Sequence, residues 1–238
     1  MSAERRYCLA INPGATSTKA SVYDGETEVF TENIKHPIEE IKQFAEIADQ
    51  FDYRKNTILD MLKKHNVDVK DIAIVVGRGG LTKPCESGIY RVNDKMLEEC
   101  REGIQGKHAC NLGSLIAHSI AQEIGLDAAY IADPGIVDER PEIAKISGHP
   151  VFDLDPEREG VIWHCLNQKM TAKLYAREQG KKYEDMNLII AHMGGGVSVG
   201  IHSHGKVIEV NRALCGLGAM STTRAGSINS SKLVDVCF

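Results

Sequence analysis

The sequence predicts an α/β fold in which one strand-rich motif occurs twice. Across the 238 residues, short apolar strands alternate with stretches whose apolar side chains recur at helical spacing. The motif spans residues 7–34 and returns at 187–214, about 180 residues later. A repeat at this distance indicates duplicated domains rather than a solenoid. We expect an N-terminal domain at 1–150 and a second domain at 151–238.

Periodicity and end signals place the individual elements. Strands are predicted at 7–12, 17–23, 28–34, 71–80 and 128–134, and helices at 94–101, 111–125 and about 156–180, with two more between residues 37 and 65. Asn93 and Asn111 are predicted N-caps, because an asparagine side chain can accept from the unpaired amides of a first helical turn. Gly125 is a predicted C-terminal stop.

The two copies of the motif agree in their turns. Each first strand ends in a polar residue, Asn12 or His192, and a turn of small residues follows it. Each second strand ends in a glycine turn, at Gly25 or Gly205. Turn amides without side-chain bulk form anion-binding nests, so two such loops facing one cleft would suit a polyphosphate ligand.

Composition narrows the class of protein. The formal charge of −5 gives no general basic surface, so nucleic acid is not an expected partner. No stretch approaches about 18 uncharged apolar residues, and the N-terminus lacks a secretion signal, so no membrane association is expected. The seven cysteines are scattered and form no C-x-x-C pair, which is typical of free thiols in a reducing compartment. We therefore expect a cytoplasmic protein.

The first small-residue loop carries a set of candidate ligand groups. Gly14 allows the backbone to approach a phosphate, and Asn12, Thr16 and Ser17 can donate hydrogen bonds. Lys19 adds a mobile positive charge. The alternative for any single loop of this composition is an ordinary polar turn between two strands. The pair of loops favours phosphate binding more than either loop alone.

Four residues outside this loop are further candidates. Arg78, among glycines at a predicted strand end, either holds a carboxylate or phosphoryl group or lies on the surface. Asp133 at another strand end either contacts Mg²⁺ or stabilises a turn. His164 falls within a predicted helix, where a packed histidine is the commoner case. His192 beside the glycine turn is better placed for a ligand contact.

Seven motifs in order identify a family resemblance. They are INPGATSTKAS, VVGRGGL, GIYRVNDKML, HACNLGSLIA, IADPGIVDE, WHCLNQKMTAKLYA and NLIIAHMGGGVSVG. In this order they resemble the butyrate kinases, which are similar to acetate kinases, sugar kinases, Hsp70 and actin. The resemblance implies duplicated ribonuclease H-like domains, ATP and Mg²⁺. It also implies the reversible reaction of butanoate with ATP to give butanoyl phosphate and ADP, and a homo-oligomeric assembly.

The resemblance also assigns roles to residues. It puts Asn12, Ser17 and Lys19 in a first phosphate loop and His192, Gly194, Gly195 and Gly196 in a second. Residues at or near the positions of substrate, metal and transition-state groups are Arg78, His108, Asp133, His164 and Arg224. Among these, Arg78, His164 and Arg224 are expected to be catalytic, Arg78 and His108 to bind the carboxylate, and Asp133 to bind Mg²⁺.

The sequence departs from the family pattern at three points. Ala15 stands where the family usually has serine, and Cys215 stands where an Asp-Gly-x-Gly-Pro-Phe run would begin, although Arg224 and Gly226 are kept. The chain ends at Phe238, whereas family members continue, so we expect a truncated chain with an incomplete second domain. The alternative function is a weak or inactive acyl-kinase-like protein that binds phosphate or a partner. A sugar kinase is a third possibility.

Overall fold

The computed structural model describes residues 5–146, 161–213 and 218–238. The chain forms two compact units. Unit 1 comprises Met1–Thr82 and Gly88–Pro134, and unit 2 comprises Lys83–Ser87 and Gly135–Phe238. The first strand motif therefore lies in unit 1 and the second in unit 2.

Unit 1 contains a six-stranded sheet. Its strands are β1 (Tyr7–Pro13), β2 (Ser17–Asp24), β3 (Thr27–Lys35), β4 (Ile72–Arg78), β5 (Ile89–Arg91) and β6 (Tyr130–Ala132). They are ordered β3-β2-β1-β4-β6-β5. The first three form an antiparallel meander, β4 runs parallel to β1, and β6 runs parallel to β4. The hairpin between β2 and β3 depends on Gly25, whose φ of +59° suits glycine.

Four helices accompany this sheet. They are α1 (Ile38–Ile41), α2 (Phe51–Lys64), α3 (Asp94–Glu102) and α4 (Asn111–Glu123). The core of unit 1 includes fully buried side chains from β1, β2, α2 and α4: Leu9, Val22, Ile58, Leu62, Ile116 and Ile120. Burial of such side chains removes apolar area from water at roughly 25 cal/mol per Å². This core fixes the strand ends that carry the candidate residues.

Unit 2 contains a second antiparallel meander, whose strands β7 (Asn187–Met193), β8 (Val197–Ser203) and β9 (Lys206–Val210) lie in the order β7-β8-β9. The helices α5 (Cys165–Glu178) and α6 (Ser230–Cys237) belong to the same unit. Side chains of α5 and β7 pack together, among them Ala172, Ala176, Leu188 and Ile190. The predicted repeat is confirmed. Gly205, with φ of +80°, closes the β8–β9 hairpin in the same way that Gly25 closes the β2–β3 hairpin of unit 1.

From Gly135 onward the chain belongs to unit 2, as the short segment Lys83–Ser87 also does. The domain division expected at residue 150 stays a prediction. The segment after Gly135 packs within unit 2: the Trp163 N–H donates to the Gly135 carbonyl at 3.0 Å, and the Trp163 indole donates to the Val137 carbonyl at 2.7 Å. Cys85 forms a bridge with Val137. These contacts account for residues 83–87 and 135 onward belonging to one unit.

Several predicted helix ends are confirmed and others are wrong. Asn93 caps α3, accepting from the Met96 N–H at 2.9 Å, and Gly125 ends α4 at φ +69°. Asn111 is not an N-cap. Its side chain instead accepts from Leu81 N–H and donates to the carbonyls of Cys100 and Gly106, which ties the preceding loop together.

The remaining differences concern helix lengths. The region 38–47 forms only one α-helical turn, α1, and Ile38 in that turn stays 56% exposed. Helix α5 begins at Cys165, and residues 161–164 before it are not helical. The rest of the predicted start of this helix, at 156–160, lies outside the described residues. Of the helices in the described ranges, none has the length and apolar character needed to cross a bilayer.

Candidate active site

The first small-residue loop, which we call loop 1 (residues 14–16), joins β1 to β2. The Gly14 N–H donates to the Ser17 carbonyl at 2.7 Å, which closes the turn. The N–H groups of Ala15 and Thr16 donate to no acceptor among the described residues. Asn12 and Lys19 face each other across the base of the hairpin, and both are exposed. Loop 1 therefore presents two unused amides beside a lysine and an asparagine.

A buried arginine that sequence analysis missed holds the opposite side of loop 1. Arg54 on α2 has 0% exposure. Its Nη1 donates to the carbonyls of Gly14 at 2.9 Å and Ser17 at 3.0 Å, and its Nη2 donates to the Ala15 carbonyl at 3.1 Å. Because these carbonyls point to Arg54, the loop amides are left for another partner. The signal was present in the sequence: Arg54 is four and eight residues before the core positions Ile58 and Leu62.

Two candidate residues of unit 1, Asn12 and Arg78, meet at one edge of its sheet. Arg78 ends β4 and Asn12 lies near the end of the parallel strand β1, so both come to the carboxyl edge. Arg78 Nη1 donates to Asn12 Oδ1 at 3.4 Å. His108 Nδ1 accepts from the Cys110 N–H at 3.2 Å. Burial raises the pKa of the Cys110 thiol to about 11, opposed by the nearby charge of Arg78.

Close helix packing brings α4 to this edge. Gly113 in its first turn lies against the backbone of Arg78, and a Cβ at Gly113 would lie 2.1 Å from the Arg78 carbonyl oxygen. A Cβ at Gly77 would lie 2.2 Å from the Gly113 carbonyl oxygen. Glycine is needed at both positions for this approach, which places the start of α4 beside the end of β4.

Asp133 directly follows β6 in a left-handed conformation, with φ of +37°. Its Oδ1 accepts from the Gly88 N–H at 2.9 Å, and its own N–H donates to the Gly88 carbonyl at 3.0 Å. Left-handed backbone is uncommon outside glycine, although aspartate tolerates it better than most residues. The carboxylate is thus fixed, 7% exposed, at the same end of the sheet as Arg78.

The second loop, loop 2 (residues 194–196), is built like loop 1. The Gly194 N–H donates to the Gly196 carbonyl at 3.0 Å. The Gly195 carbonyl accepts from Ser221 Oγ at 2.9 Å, Thr223 Oγ1 at 2.6 Å and Arg224 Nη1 at 3.2 Å. The N–H groups of Gly195 and Gly196 donate to no acceptor in the described part of the chain. A guanidinium again holds a loop carbonyl while loop amides stay unused.

Two histidines lie beside loop 2. The rings of His164 and His192 stack with centroids 3.7 Å apart and an interplanar angle of 12°. His164 Nδ1 lies 2.8 Å from Ser198 Oγ, and His192 Nδ1 lies 2.8 Å from Asn167 Oδ1. The expectation that His164 falls within a helix is wrong, because it is the residue immediately before α5. Its ring is therefore turned toward loop 2 rather than along a helix face.

Gly196 brings three candidates together. A Cβ at this position would lie 2.5 Å from Arg224 Nη1 and 3.3 Å from His164 Cε1. Arg224, His164 and Gly196 therefore share one small volume in unit 2. Cys215, where the family pattern has aspartate, lies outside the described residues.

Comparison with known proteins shows which sequences this chain is similar to. No protein-family profile matches it. Butyrate kinase 1 of Clostridium acetobutylicum is 53% identical over 230 residues, which cover 97% of this chain and 63% of that protein. The chain is a homologue of the butyrate kinases. A probable butyrate kinase of Bacteroides thetaiotaomicron is 46% identical over 230 residues, with the same coverage of 97% and 63%. The chain thus spans 63% of the length of these curated relatives.

A solved structure confirms the predicted fold class. The crystal structure of Porphyromonas gingivalis acetate kinase matches with a TM-score of 0.68 at 16% identity, covering 97% of this chain and 63% of that one. The fold is the duplicated, actin-like ATPase fold of the acetate kinases, and the chain covers only part of its second domain.

Proposed function

We propose that this chain carries the phosphoryl-transfer machinery of a butyrate kinase, which converts butanoate and ATP to butanoyl phosphate and ADP. The observation that carries the proposal is the matching construction of loops 1 and 2. In each loop a carbonyl is held by an arginine, and two amides are left for an anion. Identity near 50% to butyrate kinases supports butanoate as the acceptor.

Within this proposal, each unit has its own set of candidate groups. In unit 1, Asn12, Gly14, Thr16, Ser17 and Lys19 bind phosphate through loop 1, while Arg78 and His108 bind the carboxylate. In unit 2, His192, Gly194, Gly195 and Gly196 bind phosphate through loop 2. Arg78, His164 and Arg224 are proposed to neutralise the charge that spreads over the equatorial oxygens during transfer.

Asp133 is the proposed Mg²⁺ residue. Magnesium in phosphoryl-transfer sites usually takes one or two carboxylates and obtains its other ligands from phosphate and water. One fixed carboxylate at a sheet edge fits that requirement, and in the described ranges no group of three or more His, Cys, Asp or Glu side chains could form an all-protein cage. When bound, the ion would neutralise phosphate charge.

The proposed chemistry needs no strong general base. A short-chain carboxylic acid is ionised at pH 7, so the attacking oxygen already carries the charge it needs. The residues then have to align the acceptor with the phosphoryl group and exclude water. Arginine forks suit both anions, because a guanidinium can donate two parallel hydrogen bonds to a carboxylate or phosphate.

A direct assay tests the proposal. The purified chain is incubated with ATP, Mg²⁺ and butanoate, and acyl phosphate is trapped as its hydroxamate. Arg224→Ala is expected to lower turnover by about 10²- to 10³-fold, because it removes a preorganised donor. Arg177→Ala, an exposed arginine on α5, is the matched control. A soluble, folded wild-type chain without turnover would favour the alternative, a phosphate-binding acyl-kinase-like protein with weak or no activity.

A second assay, which measures ADP release with butanoate, glucose or glycerol as the acceptor, separates a sugar kinase from a carboxylate kinase, because a sugar kinase would use glucose or glycerol in preference to butanoate. We also propose a cytoplasmic location and a homo-oligomer. All six cysteines in the described ranges are free thiols, as expected in a reducing compartment.

A further inference from the structure

Arg54 is a buried cation that has no anionic partner among the described residues. All of its hydrogen-bond acceptors are neutral oxygens: the carbonyls of Gly14, Ala15 and Ser17, Thr18 Oγ1 and Gln50 Oε1. No carboxylate of the described residues lies within ion-pair distance of it. Burial lowers the pKa of the guanidinium, but arginine keeps its charge in proteins. A full positive charge therefore lies in the interior directly behind loop 1.

Such an arrangement is costly unless something compensates the charge. Burial of an unpaired ion is strongly unfavourable, and five neutral acceptors recover only part of the lost hydration. The remaining field is directed outward through a loop whose outer amides are unused. An anion seated on those amides would be the missing counter-charge.

In the part of the chain that the structure describes, the hydrogen bonds that lead from Thr18 toward the surface bring no counter-charge to Arg54. Thr18 Oγ1 lies 2.7 Å from His36 Nε2, and His36 Nδ1 lies 3.1 Å from the Tyr53 hydroxyl, which donates to Glu40 at 2.5 Å. Burial, with the charge of Arg54, lowers the pKa of His36 to about 4, so its ring is neutral at pH 7. Two neutral side chains and a hydroxyl thus separate Glu40 from the guanidinium.

We propose that Arg54 is a positioning residue of loop 1 and that the anion it positions, a phosphate or polyphosphate group, is the partner of its buried charge. This inference rests on the proposed function, in which loop 1 binds a phosphoryl group. It assigns two effects to one side chain. The planar guanidinium orients the loop 1 carbonyls toward the protein interior. Its positive charge also attracts an anion bound to the outward-facing amides of loop 1.

The variant Gln50→Glu tests the effect of the Arg54 charge on anion binding while the hydrogen bonds of Arg54 are kept. Gln50 Oε1 accepts from Arg54 Nε at 2.9 Å, and glutamate keeps that acceptor while neutralising the guanidinium. We expect calorimetric titration with inorganic pyrophosphate to give about 3- to 10-fold weaker binding. The melting temperature should be unchanged or higher, so a structural defect would not explain the loss. Gln122→Glu is the matched control, because Gln122 is exposed and lies near the far end of α4 from the edge where Gly113 meets β4.

Arg54→Lys tests the positioning effect. Lysine keeps the charge but has no planar fork, so it cannot hold the same carbonyls. We expect weaker pyrophosphate binding together with a lower melting temperature. A lower melting temperature with unchanged affinity would overturn the positioning role, and equal affinity of the wild type and Gln50→Glu would overturn the role of the charge.

Lys19→Ala distinguishes failure of this inference from failure of the proposed function. Lys19 is exposed, so its removal should weaken pyrophosphate binding without unfolding the chain. A wild-type chain that does not bind pyrophosphate, or whose binding ignores Lys19→Ala, would overturn loop 1 as a phosphate site and the role of Arg54 with it. Binding that depends on Lys19 but not on Gln50→Glu or Arg54→Lys would overturn only the inference.

Discussion

At the scale of single residues, the sequence identifies the polar groups on loops 1 and 2 but not the arginine that holds loop 1 from behind. Residue type and spacing were enough to select Asn12, Lys19 and His192 as candidates. Arg54 was not selected, although its spacing from Ile58 and Leu62 puts it on the buried face of α2, because arginine is rarely buried. Its role depends on a contact with a loop 40 residues earlier, and pattern reasoning along the chain does not see such contacts.

The glycines of loop 2 lead to a residue-scale prediction. A methyl group at Gly196 would lie 2.5 Å from Arg224 Nη1, so Gly196→Ala should displace the guanidinium from the loop. We expect a fall in turnover of about 10²-fold, close to that of losing one preorganised donor. The measurement is kcat in the hydroxamate assay with saturating ATP and butanoate.

Gly195→Ala is the matched variant, because a Cβ there would meet nothing within 4 Å. Both substitutions add the same methyl group to the same loop, so their difference isolates the displacement of Arg224. We expect Gly196→Ala to be at least about tenfold slower than Gly195→Ala. Equal losses in the two variants would count against Arg224 as the affected group.

At the scale of elements, the antiparallel meanders were predictable and the helices less so. Strand alternation and the glycine turns at Gly25 and Gly205 are local signals, and both hairpins formed where expected. The helix expected at 161–164 and the longer helix expected around Ile41 did not form, although apolar side chains recur there at helical spacing. Such spacing yields a helix only when the apolar face is buried by neighbours, and that information is tertiary.

The sheet of unit 2 has one apolar face that the described residues leave exposed. Exposed side chains on it include Ile189 at 75%, Met193 at 81%, Val199 at 36%, Ile201 at 42% and Ile208 at 39%. Ile189 and Ile201 are direct cross-strand partners. Contiguous apolar surface of this kind favours association, so we expect the chain to self-associate with rising concentration.

Paired substitution tests this expectation. The double variant Ile189→Thr and Ile201→Thr should shift the chain toward monomer in sedimentation velocity, because threonine keeps strand propensity while lowering apolar area. Ile143→Thr serves as control, since Ile143 is 76% exposed but lies in a short 3₁₀ turn outside that sheet. A wild-type chain that stays monomeric across the concentration range would refute the association.

At the scale of the whole molecule, both units contain a buried, neutral histidine. His36 in unit 1 follows the meander, and His202 in unit 2 lies in β8 and contacts Tyr183 and Gln168. Burial is the main cause of the lowered pKa in both cases. The charge of Arg54 adds to the effect at His36, and the charge of Lys169 adds to it at His202, so each pKa falls to about 4.

These two groups make stability depend on pH in a defined direction. An unfolded histidine titrates near 6.5, so between about pH 6.5 and 4 the unfolded state binds protons that the native state does not. The free energy of unfolding is therefore fully retained above pH 6.5 and falls as the pH drops toward 4, by up to about 3 kcal/mol for each histidine.

Urea unfolding at pH 7.0, 6.0 and 5.0 measures the slope of the free energy of unfolding against pH. His36→Gln and His202→Gln should each lower stability at pH 7 but remove about half of the slope between pH 7 and 5. A slope unchanged in both variants would assign the acid sensitivity to carboxylates instead.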